Sequence, residues 1–278
     1  PLWKIGSGLP MVIGVSFTYV PTLTAIGMAY GIEAIFGAQL VGGFVAILFG
    51  AFLKPMRKLF PPLVAGTVVF SIGLSLYPTA IRYMAGGSGL SDFGSAINCG
   101  IAILTLIVVL FCNHFTKGYA KLASILIGIV VGYVFSVALG RVDFTPIMEA
   151  SWIQMPTPMH FGIKFVPSAI ISISVIYIVN SVEAVGDLSA ITEGGLGRDA
   201  KDTEISGGII ASGIASVIGV FFGGLPTATY SQNVGIVAMT KVISKFVVAI
   251  AALFMLIAGF IPKFGALITT IPQSVLGG

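Results

Sequence analysis

An all-α, polytopic integral membrane protein is the fold class this sequence predicts, and three observations predict it. Of its 278 residues 56% are hydrophobic and 9% charged, and the mean hydropathy is +1.06. A soluble domain needs about 25% charged residues to cover its surface. Apolar runs near the ~20 residues that a bilayer-crossing helix requires recur along the whole chain. Two of these runs open on the same Gly-Leu-Pro tripeptide and are then interrupted, as helices broken at membrane depth are.

Taken in order, the runs give ten candidate spans: 11–29, 35–53, 61–81, 96–113, 120–139, 167–191, 205–222, 225–240, 242–261 and 264–278. The second, fourth, fifth and ninth are uninterrupted, whereas Pro and Gly break the first, eighth and tenth. Alternating the spans across the bilayer sorts the basic residues. Lys4, Lys54, Arg57, Lys58, Lys117, Lys121, Arg198, Lys201, Lys241 and Lys245 fall on one side, and Arg82, Arg141, Lys164 and Lys263 on the other. The positive-inside rule makes the first side cytoplasmic. The segment 140–166 then lies outside as an interfacial loop with a short helix, carrying Trp152 and His160. The chain starts at Pro1 without an initiator Met, so a piece of a longer protein is expected.

The net charge of +4 comes from such loops, and no basic run interleaved with aromatics points to nucleic acid. Cys99 and Cys112 sit in or beside one apolar run without ligand spacing, and read as packing residues. His160, near Met155 and Met159, forms no recognisable metal site, and His114 reads as a solvated helix end. No metal is therefore expected. Gly194-Gly195-Leu196-Gly197 lacks the preceding strand of a phosphate loop and reads as a cytoplasmic turn. Gly128 and Gly132, four apart, suit close helix packing.

Polar residues inside the spans carry the functional signal. Eight of the ten acidic residues fall in loops or at span ends; the other two, Glu183 and Asp187, lie inside the span 167–191. An ionised carboxylate at mid-bilayer costs roughly 2.5–3.5 kcal/mol on insertion scales. Their spacing of four puts both on one helical face, with Asn180 one turn before Glu183 and Gly186 beside the pair. Asp187 alone reads equally as a group at the inner interface, about four residues from the span end. As a pair, with basic residues only at span ends and none deeper to neutralise them, they mark a polar cavity.

The second signal is the segment 224–241. Pro226 bars a helix interior, Thr227, Thr229 and Tyr230 favour extended backbone, and a helix follows from Ser231 onward. Gln232 and Asn233 then lie at a helix start, where free N–H groups bind polar ligands. Gly8-Leu9-Pro10 opens the first span as Gly224-Leu225-Pro226 opens the eighth. That match sets Ser16 opposite Gln232 and Phe17 opposite Asn233, and the charge reading sends the two segments in opposite directions. Paired broken segments in inverted halves are the sequence pointer to a transporter's midplane site. No Ser-His-Asp, HExxH or CxxC arrangement is present, and no enzyme is expected.

Gln232-Asn233-Val234-Gly235-Ile236-Val237-Ala238-Met239-Thr240-Lys241 resembles the signature motif of the nucleobase–ascorbate transporters, also called nucleobase:cation symporters-2. Glu183-Ala184-Val185-Gly186-Asp187 is similar to that family's acidic helix motif, and Gly14-Val15-Ser16-Phe17 to its early Ser/Asn-Phe element. The resemblance implies an inverted-repeat fold of fourteen spans in core and gate domains, of which this chain would cover spans three to twelve. Residues 1–139 would belong to the first repeat, 140–166 to a connecting loop and 167–278 to the second repeat. It also implies a cation symporter in the plasma or inner membrane, a homodimer as an option, and no cofactor beyond a coupling proton or sodium ion.

By the same resemblance Glu183 binds a ring N–H of a nucleobase, Phe17, beside Ser16, stacks on the ring or offers it backbone, and Gln232 pairs with the opposite edge. Asn233 organises the broken helix, Asp187 serves cation coupling with Glu183, and Gly235, Thr240 and Pro226 are motif or structural positions. Gln at 232 resembles the xanthine and urate branch, whereas uracil transporters tend to carry Glu there. Uracil or another base, or an anion on the same fold, are the alternatives. The chain departs from many proton-coupled members in carrying Ser212 where they have an acidic residue.

Overall fold

The computed structural model of the chain describes residues 5–57, 62–87, 89 and 92–278. Lys4 and Lys58, two of the charges used above to orient the chain, lie outside the described residues, as does the start of the 61–81 span. The architecture is almost wholly helical. Strand β1 (Ile13–Val15) and a 3₁₀ turn (Phe17–Tyr19) precede α1 (Val20–Tyr30), α2 (Ile32–Ala51), α3 (Leu53–Arg57), α4 (Pro62–Met84) and α5 (Ala96–Phe115). Then follow α6 (Tyr119–Leu122), α7 (Ser124–Ala138), α8 (Thr145–Glu149) and α9 (Pro167–Ile191), which runs into a π turn at Thr192–Leu196. The chain continues through α10 (Asp202–Phe221), β2 (Thr227–Thr229), α11 (Ser231–Thr240), α12 (Lys245–Gly259), α13 (Pro262–Thr269) and α14 (Gln273–Gly277).

Among the described residues four helical segments are long and apolar enough to cross a membrane by length and composition: α2, α5, α9 with its π turn, and α10. The remaining expected spans resolve differently, for local reasons. The run 120–139 divides into α6 and α7 at Ala123. The ninth and tenth runs become α12 and α13, bent by 89° where Pro262 starts a new helix, and α14 behind Pro272. The eighth run is a strand and a ten-residue helix, because Pro226 and the β-branched Thr227 and Thr229 oppose helix in its first half.

The chain forms two compact units, each drawing on both halves of the sequence: residues up to Leu74 with Pro156–Ala251, and Ser75–Met155 with Ala252–Gly278. In the second unit α5 packs on α7 and α14. Gly128 and Gly132 face α5 there, a Cβ on them running into Val109 and Thr105. At the surface of that unit Lys263 lies over the Trp152 ring, 4.8 Å from its centroid, and donates to the Ile147 carbonyl at 3.0 Å.

In the first unit α2 packs against both α9 and α10. Small residues set how closely they approach, since lipid gives helices no hydrophobic reason to associate and contact must come from packing. A Cβ on Gly213 of α10 would lie 2.8 Å from the Gly43 carbonyl oxygen of α2, and one on Gly43 would lie 3.1 Å from that of Gly213. The pair therefore forces backbone against backbone. We expect Gly213→Val to cost about 1–3 kcal/mol, read as a lower thermal midpoint of the purified protein in detergent. Gly235→Ala, whose Cβ meets nothing within 4 Å, leaves that midpoint unchanged.

Candidate functional site

The two Pro-led segments meet. β1 and β2 pair antiparallel, with Ile13 opposite Thr229, Gly14 opposite Ala228 and Val15 opposite Thr227. Antiparallel strands send the helices that follow them in opposite directions, as the charge reading requires of inverted segments. The pairing centres on Gly14 and Ala228, so structural equivalence is two residues shorter than the Gly-Leu-Pro match gives. Ser16 corresponds to Tyr230, each being the residue that opens a helical turn, and Phe17 to Ser231. The first segment takes two more residues to travel from its Pro to the strand, and the tripeptide match could not register them.

A short two-stranded ribbon at membrane depth survives only where protein satisfies its backbone and edges, and α9 and α10 supply those groups. The Thr227 carbonyl accepts from Asn180 Nδ2 at 3.3 Å and from Ser212 Oγ at 3.2 Å. Ser216 Oγ accepts from the Thr227 N–H at 3.1 Å. Ser212 thus holds the start of β2. Gly14 must lack a side chain because the Tyr230 ring lies over it, and the Tyr230 hydroxyl donates to the Val15 carbonyl at 3.0 Å.

Every residue of α9 from Asn180 to Val185 is buried, and so is Asp187, so both carboxylates sit inside protein. Asp187 is 7% exposed. One of its oxygens accepts from the Thr229 hydroxyl at 2.5 Å and the other from the Ser231 hydroxyl at 2.8 Å. It therefore fastens α9 to the end of β2 and the first residue of α11. Glu183, one turn earlier and 8% exposed, is differently placed. Its Oε2 has no hydrogen-bond partner, and the Thr18 side chain of the 3₁₀ turn faces its carboxylate. One carboxylate of the pair is committed to the fold and the other is left open.

The remaining expected residues divide the same way. Phe17 is 64% exposed at the head of the 3₁₀ turn, and Gln232 is exposed, its side chain without a hydrogen bond among the described residues. Both are free to meet a ligand. Ser16 is engaged locally, accepting from the Thr18 N–H at 3.2 Å and donating to the Thr18 hydroxyl at 3.0 Å. Asn233 donates to the Pro10 carbonyl at 2.6 Å, tying the start of α11 to the segment that leads into β1. Thr240 donates to the Ile236 carbonyl at 2.7 Å and closes α11. Pro226 is buried just ahead of β2, and Gly235 lies exposed on α11.

Sequence reasoning missed Ser231 as a partner of Asp187, and it did not single out three buried polar residues deeper in the first unit, Tyr19, Tyr177 and Gln39. A signal existed for two of them. Tyr177, Asn180 and Glu183 recur at spacings of three along α9, and Gln39 is a lone amide within an apolar run. Among the described residues no group of three or more His, Cys, Asp or Glu is arranged to hold a metal.

Comparison with known proteins gives the family. The sequence profile described as "Permease family" matches residues 2–278. The nucleobase transporter PlUacP of Paenibacillus larvae is 38% identical, over 100% of this chain and 64% of its own length. The uric acid permease PucK of Bacillus subtilis is 38% identical over 100% and 65%, and the xanthine permease of the same species 38% over 98% and 62%. The chain thus spans a little under two thirds of these relatives. Among solved structures, the transmembrane domain of the cyanobacterial bicarbonate transporter BicA superposes with a TM-score of 0.69 at 17% identity, covering 99% of this chain and 76% of that one. SLC26A9 gives 0.63 at 15%, covering 97% and 48%. At such identities the likeness shows the fold alone, that of the inverted-repeat transporters. The chain belongs to the Permease family, the nucleobase–ascorbate transporters whose motifs it carries, and its long apolar helices are those of a multi-pass membrane protein.

Proposed function

We propose that the protein takes up a nucleobase, an oxidised purine such as xanthine or uric acid, in symport with a proton. The observation that carries this reading is the Glu183 carboxylate, buried with Oε2 unpartnered between two broken segments that present an exposed aromatic, Phe17, and an uncommitted amide, Gln232. A purine dione is a flat ring bearing N–H donors and C=O acceptors. A carboxylate accepts from a ring N–H, an amide pairs with a donor–acceptor edge, and an aromatic face stacks. Relatives named as xanthine and uric acid permeases support the substrate class. Glu183 exchanges a proton with solvent as the site turns over, and Asp187, fixed to Thr229 and Ser231, links its charge to the position of α11. None of the residues that form the site is basic, and its charged groups are both carboxylates, which disfavours a small inorganic anion as the solute.

The test is binding of radiolabelled xanthine to the purified full-length protein, with urate and uracil as competitors. Saturable binding displaced by urate and not by uracil is expected. A folded protein that binds no nucleobase overturns the reading. Within the same assay Gln232→Ala weakens xanthine binding about tenfold, the loss of a neutral amide pair worth about 1.4 kcal/mol. Gln232→Glu, which replaces a donor by an acceptor, lowers the preference for xanthine over uracil; an unchanged preference removes Gln232 from the recognition edge.

A further inference from the structure

Among the described residues, Glu183 Oε2 is one of five buried, unpartnered side-chain oxygens in the first unit; the others are the Tyr19 and Tyr177 hydroxyls, Asn180 Oδ1 and Gln39 Oε1. Tyr19, Tyr177 and Gln39 are fully buried and Asn180 is 3% exposed. Orphaned polar atoms at this depth are rare, because each forfeits the hydration it had in the unfolded chain. Here they are contiguous. The Tyr19 and Tyr177 rings lie 5.1 Å apart, and the Tyr19 hydroxyl faces both Asn180 and Glu183. The Tyr177 hydroxyl faces Ser216, whose carbonyl accepts from Gln39 Nε2 at 2.9 Å. The second Gln39 bond goes to the Gly224 carbonyl at 2.9 Å, in the loop after α10, where Phe222 is exposed.

We propose that these side chains hold a buried file of water running from Glu183 past Tyr19, Asn180 and Tyr177 to Ser216 and Gln39, and that Glu183 exchanges its coupling proton along it. The donor set fits water better than a metal ion. Phenol hydroxyls both donate and accept, amide oxygens accept, and buried water typically makes two to four bonds to groups of this kind. A proton entering at the Gly224 loop passes to the first water while that water releases one to the next. The last transfer protonates Glu183, and reversal returns the proton, leaving every hydroxyl neutral. By the charge reading of the sequence the Gly224 loop is on the outer side, so the file connects the site to the compartment from which solute is taken. The titratable groups near Glu183 are Asp187 and Tyr19, with the uncharged Thr18 beside them; Tyr177 stands behind Tyr19, and the uncharged Ser212 and Ser216 of α10 bind Thr227.

The occupancy of the file is tested without any substrate. Radiolytic labelling of the full-length protein by pulsed X-rays oxidises side chains next to bound water, including those that bulk radicals cannot reach. Labelling of both Tyr19 and Tyr177, despite their complete burial, is expected; absence of label on both overturns the proposal. The proton role rests on the symport reading above and is tested in proteoliposomes. Tyr19→Phe/Tyr177→Phe is expected to slow xanthine-driven proton uptake about tenfold, leaving xanthine binding and xanthine–xanthine exchange within twofold of wild type. Unchanged proton uptake with normal binding overturns the relay alone, whereas a wild-type protein that binds no nucleobase overturns the symport reading and leaves the labelling result standing for the file.

Discussion

Glu183→Gln lowers xanthine uptake by the full-length protein about 100-fold and abolishes its stimulation by an inward proton gradient. The magnitude follows from the bond at stake. A hydrogen bond to a charged acceptor is worth about 1.5–3 kcal/mol, and the upper half of that range corresponds to about 100-fold in affinity. The site adds to this, because Oε2 is buried without a protein partner and the substrate N–H is the group that would complete it. Glutamine keeps the size of the side chain and one acceptor oxygen but loses the charge and the capacity to carry a proton. Its NH₂ group also sets a donor against the ring N–H, the kind of mismatch that buried hydrogen-bonding sites reject strongly. Thermal stability is expected to be unchanged or slightly higher, since an uncompensated buried charge disappears. Uptake by Glu183→Gln with full rate and unaltered proton dependence would remove Glu183 from both substrate binding and coupling.

The carboxylate pair, the strand-then-helix character of 225–240 and the inverted relation of the two Gly-Leu-Pro segments were legible in the sequence, because each rests on a local rule. An acid in an apolar run is costly wherever it lies, and Pro bars a helix interior in any context. The division of labour within the pair was not legible. Glu183 and Asp187 lie on one face of one apolar run, and only the approach of Thr229 and Ser231 commits one of them to the fold. Register was illegible for a related reason: a repeated tripeptide fixes where two segments begin, whereas the β1–β2 pairing depends on how many residues each spends reaching the strand. The units escaped because their contacts join residues far apart in sequence, as in the Gln39 amide bound to the Ser216 and Gly224 carbonyls.

Asp187 is the position where fold and coupling can be separated by two substitutions. Asp187→Ala leaves the Thr229 hydroxyl, 5% exposed, and the Ser231 hydroxyl without an acceptor. A buried hydroxyl so orphaned costs about 1–3 kcal/mol, and the cost falls on the junction between β2 and α11 that aims Gln232. The alanine variant is therefore expected to lower the thermal midpoint of the purified protein and to weaken xanthine binding at least tenfold. Asp187→Asn behaves otherwise. Its carbonyl oxygen still accepts from one hydroxyl and its NH₂ can donate to the other, whose proton turns away, so the clamp survives while the charge is gone. We expect the asparagine variant to keep its thermal midpoint and to bind xanthine within threefold of wild type, yet to gain nothing from an inward proton gradient. Asparagine with wild-type proton dependence would make Asp187 a clamp and nothing more. Alanine with an unchanged midpoint would deny it the clamp, and a loss of binding in both variants would mean that the charge itself holds α11 in register with α9.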